Sequence, residues 1–117
     1  MSKLNSGDVT ITINGADRTL KPTLRALSTI SGQFNGLAKA RELLVAQDFA
    51  TAVFVIRHGL NLSDREARTL PDEIYENGLT ADLLIPLLRF VGVLANGGKP
   101  LPDDPVELAD AGAEGNG

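Results

Sequence analysis

The spacing of apolar residues changes near Pro22, from every second residue to every third or fourth residue. In residues 8–13 apolar and polar side chains alternate, which is typical of a half-buried strand. The apolar side chains of this strand share one face: Val9, Ile11 and Ile13. Asn14-Gly15 follows, and these two residues tolerate the positive φ angles of a tight turn. The sequence therefore predicts a β-hairpin, with a return strand at 18–21, ahead of a helical remainder.

Five helices are expected after the hairpin, because residues that start or stop helices separate the helical apolar patterns. Pro22 suits the first position of a helix over 22–31, which Gly32 would end. The N-cap residues expected for the second, third and fifth helices are Asn35, Asp48 and Thr80. Ser63 and Glu66 match the S-x-x-E capping box and predict the start of a fourth helix.

Prolines interrupt two of these helices. Leu70-Pro71 divides the fourth into two short helices, about 64–70 and 72–77, or kinks a single one. Pro86 is expected to kink the fifth near its start. The fifth helix is apolar on most of its surface, so it is either buried at the centre of the bundle or partly exposed as a docking surface.

The helical spacing also predicts which side chains face the core. In the first three helices these are Leu24, Leu27, Ile30, Leu37, Ala40, Leu43, Leu44, Phe49, Val53, Ile56 and Leu60. The expected fold is α+β and mainly α, a β-hairpin followed by a bundle of about five helices. We expect one domain at 8–98, a flexible N-terminus at 1–7 and a disordered, acidic, Pro- and Gly-rich segment at 99–117.

Charge and composition exclude several classes of protein. The formal net charge of −4 belongs to residues 99–117, with one basic and five acidic side chains, and residues 1–98 are neutral. A neutral body lacks the excess cations that bind a phosphate backbone, so a nucleic-acid partner is not expected. The absence of cysteine excludes disulfides and thiolate metal sites and fits a cytoplasmic protein. Neither a signal peptide nor a membrane span is expected.

No residue pattern predicts catalysis or a cofactor. His58 is the only histidine, and its position predicts a helix end where a cation is favoured, with no metal ligand at a suitable spacing. The nearby carboxylates fall at expected helix starts, where capping already accounts for them: Asp64, Glu66, Asp72, Glu73 and Glu76. We therefore expect a non-enzymatic protein with no catalytic, cofactor-binding or metal-binding residues.

Three segments resemble a known family. They are Asp8-Val-Thr-Ile-Thr-Ile-Asn-Gly15, then Arg18-Thr-Leu-Lys-Pro-Thr-Leu-Arg-Ala-Leu27, and Leu84-Ile-Pro86 early in an apolar helix. Over about residues 7–96 the chain resembles the tail assembly chaperones of long-tailed bacteriophages and gene transfer agents. The resemblance implies a protein of the host bacterial cytoplasm that binds the tape-measure protein, recruits tail tube subunits and is absent from the mature virion. Self-association is also compatible with it.

Two other functions stay open. Some similar proteins are described as tail tube proteins, which would make this chain a structural component of the virion. A regulatory or antitoxin-like binding module is the third possibility, although the neutral body argues against a basic recognition helix. If the chain is a chaperone, the residues expected to be exposed and to contact partners are Phe54, Val55, Leu84, Leu88 and Val91.

The family resemblance generates a prediction about the gene. Such chaperones often exist in two lengths, the longer made by a minus-one ribosomal frameshift near the end of the short reading frame. Gly97-Gly98-Lys99 is compatible with the slippery run G-GGA-AAG, at the end of the expected domain. We expect the gene sequence to contain that run, and its absence would exclude a frameshift at this site.

Overall fold

The computed structural model describes residues 7–102. The elements, in chain order, are β1 (Val9–Ile13), β2 (Ala16–Leu20), α1 (Leu24–Phe34), α2 (Leu37–Val45), α3 (Phe49–Gly59), a short 3-10 helix (Glu66–Thr69), α4 (Leu70–Asn77) and α5 (Ala81–Ala95). The protein is therefore α+β and mainly α, which confirms the expected fold class. Within residues 7–102, no helix combines the length and the apolar composition needed to cross a bilayer.

The hairpin forms at the expected turn. Asn14 and Gly15 have φ angles of 52° and 83°, and the antiparallel strands pair from Ile13 with Ala16 to Val9 with Leu20. Since a two-residue turn lets pairing resume at once, β2 begins two residues before the expected return strand. The three apolar side chains of β1 are buried as predicted: Val9, Ile11 and Ile13.

Helix α5 lies at the centre of the fold and packs against β1, α2 and α3. Its buried residues occupy most of its circumference: Leu83, Leu84, Leu87, Phe90, Val91, Val93 and Leu94. The interpretation of this helix as a buried central element is confirmed. Pro86 lies inside the helix, which continues to Ala95.

The first two helix boundaries differ from the prediction. Helix α1 begins after Thr23, whose Oγ1 accepts a hydrogen bond from the Ala26 N–H at 3.0 Å, so Pro22 lies outside the helix. Gly32 lies within α1 and does not end it. Asn35 is not the N-cap of α2; it ends α1 in the left-handed conformation, with a φ angle of 61°. Asparagine adopts that conformation more easily than most residues, which suits it to the C-terminal end of a helix, whereas at an N-cap it is favoured because its side-chain oxygen accepts a backbone hydrogen bond.

The later caps are closer to expectation. Asp48 caps α3 by accepting from the Thr51 N–H at 3.1 Å. The capping box forms, with Ser63 N–H donating to Glu66 Oε1 at 2.9 Å and Glu66 N–H donating to Ser63 Oγ at 3.2 Å. Thr80 occupies the N-cap position of α5 without a side-chain hydrogen bond to the helix.

The interrupted fourth helix consists of two helical segments, the 3-10 helix and then α4. Leu70 belongs to α4, and Pro71 lies in its first turn, where the missing N–H leaves no helical hydrogen bond unmade. The change of helix type therefore precedes Leu70-Pro71. The first segment ends one residue earlier than expected, and the second begins two residues earlier.

Both ends of the domain extend beyond the expected limits of 8–98. Gly7 is buried, and a side chain there would collide with the carbonyl oxygen of Gly98. Leu101 packs against the core, where its side chain covers Gly92 of α5. Gly7 and Leu101 therefore contact the folded domain, although the expected limits placed both outside it. The expectations for residues 1–6 and 103–117 lie outside the described residues.

Two helical glycines form a matched test of packing. A Cβ at Gly59 would lie 2.8 Å from Leu20 Cδ2 and 3.1 Å from Phe90 Cε2, whereas a Cβ at Gly32 would meet nothing within 4 Å. We expect Gly59→Ala to lower the free energy of unfolding by about 1–3 kcal/mol through overpacking. Gly32→Ala should raise it by about 0.5–1 kcal/mol because alanine favours the helix. Urea denaturation of both variants measures this, and equal effects would contradict the packing at Gly59.

Candidate partner-binding surface

An apolar surface runs along the outward side of α3. It consists of Phe49, Ala50, Val53, Phe54 and Arg57, and is called the α3 face below. These five residues recur at helical spacing, so they lie on one side of the helix. With Pro71 of α4 they line a shallow groove of about 300 Å³. The α3 face is therefore apolar along most of its length, with its charged residue in the last turn.

The opposite side of α3 is buried against the core. The buried positions of the helix are Thr51, Ala52, Val55, Ile56 and Gly59. Gly59 allows the helix backbone to approach Leu20 and Phe90 closely. The same residue accepts a hydrogen bond from the Lys21 N–H at 2.9 Å, which ties the end of α3 to the end of the hairpin. Phe49, Val53 and Phe54 are consequently turned away from the centre of the core.

Aromatic contacts hold Phe54 in place on this surface. Its ring meets the ring of Phe34 from α1 edge to face, with centroids 5.6 Å apart and an interplanar angle of 87°. Its other neighbour is the His58 imidazole, with centroids 4.4 Å apart. Edge-to-face geometry is favourable for aromatic pairs, so the Phe54 ring is positioned before any partner arrives.

A second pocket adjoins the C-terminal end of α3. It is called the cationic pocket below, and it is lined by Lys21, Thr23, Arg25, His58, Gly59 and Asn61. Lys21 Nζ pairs with Asp8 Oδ2 at 2.8 Å. Burial, followed by the charges of Arg57 and Arg25, lowers the pKa of His58 below its ordinary value of 6.5. His58 lies at the helix end as predicted, but these effects outweigh the favourable helix dipole.

Arg57 links the α3 face to the loop that follows the helix. Its Nη2 forms an ion pair with Asp64, whose side chain is 95% exposed. Its buried Nε has no hydrogen-bond partner within residues 7–102. Because exposed ion pairs contribute little stability, the pairing with Asp64 can exchange for another anion at small cost.

The predicted contact residues are not all exposed. Phe54 on the α3 face and Leu88 on α5 are both partly buried and pack against the core. Val55, Leu84 and Val91 are 0%, 8% and 3% exposed, so the expectation that these three are surface residues was wrong. They belong to the core and are not available to a partner in this conformation.

Two residues expected in the core are instead exposed. Phe49 is 38% exposed and Leu24 is 77% exposed, whereas Ile30 and Ile56 are buried as expected. For α3, the three- and four-residue spacing predicted Phe49, Val53 and Ile56 in the core. Ile56 is buried and Val53 is partly buried against the core, so the prediction was wrong only at Phe49. Three compact residues could have indicated the buried side of α3, because small side chains permit close packing of helices. They are Thr51, Ala52 and Gly59.

The other exposed large apolar side chains lie on four different helices: Leu24, Val45, Tyr75 and Ile85. Single exposed apolar residues are normal on protein surfaces and need no functional explanation. Leu24 also lines a groove of about 200 Å³, together with Leu27 and Leu94. The groove of the α3 face is larger, about 300 Å³, and five of the residues that line it belong to one helix. It is therefore the best candidate for a binding surface in the described part of the chain.

The carboxylates near α4 have structural partners. Glu73 Oε1 lies 3.1 Å from Arg18 Nη1, and Glu73 Oε2 accepts from Thr69 Oγ1 at 3.1 Å. Glu66 belongs to the capping box, and the Ser63 N–H lowers the pKa of its carboxyl. Among residues 7–102, no group of three or more His, Asp or Glu side chains is arranged to hold a metal ion. Glu66 therefore caps a helix, and Glu73 links the hairpin to α4 through its ion pair with Arg18.

Comparison with known proteins adds no relative. No protein-family model matches the chain, and neither the curated proteins nor the solved structures contain a significant match.

The lowered pKa of His58 makes stability depend on pH. Since the folded state binds this proton less readily than the unfolded state, the free energy of unfolding should fall as pH decreases from about 6.5 through the lower folded pKa. The variant His58→Gln should lack this contribution. Urea denaturation of both proteins between about pH 7.5 and 5.5, with an NMR titration of the imidazole, measures it. Parallel pH profiles for the two proteins would contradict the prediction.

Proposed function

We propose that this protein is a non-enzymatic tail assembly chaperone of a long-tailed bacteriophage or gene transfer agent. It binds the tape-measure protein on the α3 face and recruits tail tube subunits while the tail is assembled. The protein acts in the host bacterial cytoplasm and leaves before the virion is complete. The observation that carries this proposal is the apolar α3 face, and the resemblance of residues 7–96 to this chaperone family names the partner.

The shape of the α3 face suits a helical partner. Helix α3 has 11 residues, so at 1.5 Å per residue its outward side is about 16 Å long, or three turns. A partner helix with apolar residues at matching positions would lie along the groove between α3 and Pro71. The groove is shallow, which favours reversible contacts, and a chaperone must release its client.

The client would have the complementary chemistry. A tape-measure protein is long, helical and apolar on its helix surfaces, and these surfaces need a cover until tube subunits surround them. Partly exposed Phe49, Val53 and Phe54 supply apolar area for this contact. Because the aromatic contacts of Phe54 already fix its ring, binding would lose little side-chain entropy there.

The structural tail component is the main alternative. A tube subunit normally needs an extended β-sandwich to build its ring. Within residues 7–102 the only sheet has two strands, and its apolar side is covered by α5. This observation favours a chaperone over a tube subunit.

Co-expression tests the proposal directly. We expect the tagged chain to keep the tape-measure protein from the same gene cluster soluble and to copurify with it. Purified mature particles should lack this chain by mass spectrometry. If the tape-measure protein stayed insoluble and unbound and this chain were found in mature particles, the chain would be a structural tail component and not a chaperone.

Replacing either of two exposed alanines with glutamate tests the α3 face itself. Ala50 is exposed on the α3 face and Ala38 is exposed on α2, and each is the second residue of its helix. Glutamate is favourable at such positions, so neither Ala50→Glu nor Ala38→Glu should unfold the protein. We expect Ala50→Glu to reduce copurification of the tape-measure protein at least about tenfold, because a buried charge opposes apolar docking. Ala38→Glu should leave copurification unchanged, and equal behaviour of the two variants would move the binding site elsewhere.

A further inference from the structure

The groove on the α3 face is apolar at the start of the helix and polar at its end. Over the first half of the helix its surface is apolar, whereas Arg57 and His58 lie in the last turn. The cationic pocket adjoins this end, since His58 lines the pocket while its imidazole contacts Phe54 of the α3 face. A helix lying along the α3 face would therefore bring one of its ends close to the cationic pocket.

The cations at this end come from three separate elements. Lys21 follows the hairpin, Arg25 belongs to α1, and Arg57 belongs to α3. Acidic residues balance two of them, Asp8 beside Lys21 and the exposed Asp64 beside Arg57. None of the ion pairs among residues 7–102 includes Arg25. The pocket is thus left with uncompensated positive charge.

The titration of His58 is consistent with that charge. Burial is the largest cause that lowers the pKa of His58, and the charges of Arg57 and Arg25 lower it further. Both arginines therefore act on the side chain that separates the pocket from the α3 face. An anion bound in the pocket would be attracted to the same two arginines.

We infer that the cationic pocket binds a carboxylate group of the partner, so that the segment bound on the α3 face is an amphipathic helix with acidic residues at one end. This end lies over the last turn of α3, beside Arg25 and His58. The inference rests on the proposed docking function of the α3 face and adds to it the charge and the orientation of the partner helix. A helix with lysines at that end would be repelled by the pocket.

Two synthetic peptides of about 16 residues test the inference on the full chain. Both carry the same apolar stripe, and one ends in three glutamates where the other ends in three lysines. By fluorescence anisotropy at low salt, we expect the acidic peptide to bind about two- to fivefold more tightly, a difference in the range that exposed ion pairs produce. Raising the salt concentration to about 0.5 M should remove the difference and leave the apolar binding.

Arginine variants locate the effect. Arg25→Gln should abolish the preference for the acidic peptide. Arg41→Gln is the matched control, because Arg41 is exposed on α2 and lines neither the groove nor the cationic pocket. In NMR titrations, the acidic peptide should raise the pKa of His58, whereas the lysine peptide should not.

The possible failures are distinguishable. Equal binding of the two peptides, or a preference unchanged by Arg25→Gln, would overturn the charge inference. If Ala50→Glu still weakened both peptides in that case, the α3 face would remain the docking surface. If neither peptide bound, both the docking surface and the charge inference would be wrong. Copurification of the tape-measure protein tests the chaperone role separately from these outcomes.

Discussion

The arrangement of the candidate site depends on one contact. At Gly59, α3 closely approaches both the hairpin and α5. Leu20 and Phe90 occupy the space that a side chain at Gly59 would need, and both are fully buried. The Lys21 N–H donates to the Gly59 carbonyl oxygen at the same point. One contact thus fixes the end of the hairpin, the end of α3 and the central helix relative to one another.

This packing produces both parts of the candidate site. Because α3 buries the side that carries Ala52, Ile56 and Gly59, its other side remains partly exposed and forms the α3 face. Because the end of α3 meets the end of the hairpin, Lys21, Arg25 and His58 surround a single pocket. The two parts would contribute differently to the free energy of binding. Complete burial of a fully exposed Val or Phe side chain contributes about 1.5–3 kcal/mol, and the partly exposed side chains of the α3 face would each contribute less. One exposed ion pair contributes about 0.2–1 kcal/mol. Apolar contacts would therefore supply most of the affinity, and charges would supply the orientation.

The sequence interpretation of α3 was correct in part. The helix, its Asp48 cap and its final turn were all predicted from local patterns, and the structure confirms them. The predicted buried face was correct at Ile56 and wrong at Phe49, which is 38% exposed. Which residues face the core depends on how closely the neighbouring elements approach, and that distance is not encoded within one helix. That dependence also explains why Val55, which was expected on the surface, is fully buried.

The sequence by itself determined the elements and their order. Alternation in β1, the Asn14-Gly15 turn and the capping box of Ser63 and Glu66 are local features, since each involves residues a few positions apart. Only the tertiary structure decided which apolar residues stay exposed and which cations share a pocket. Arg25 and His58 are 33 positions apart in the chain and meet only when α1 packs against α3. Local patterns involve neighbouring residues, whereas a binding surface is made by elements whose contact the chain order does not reveal.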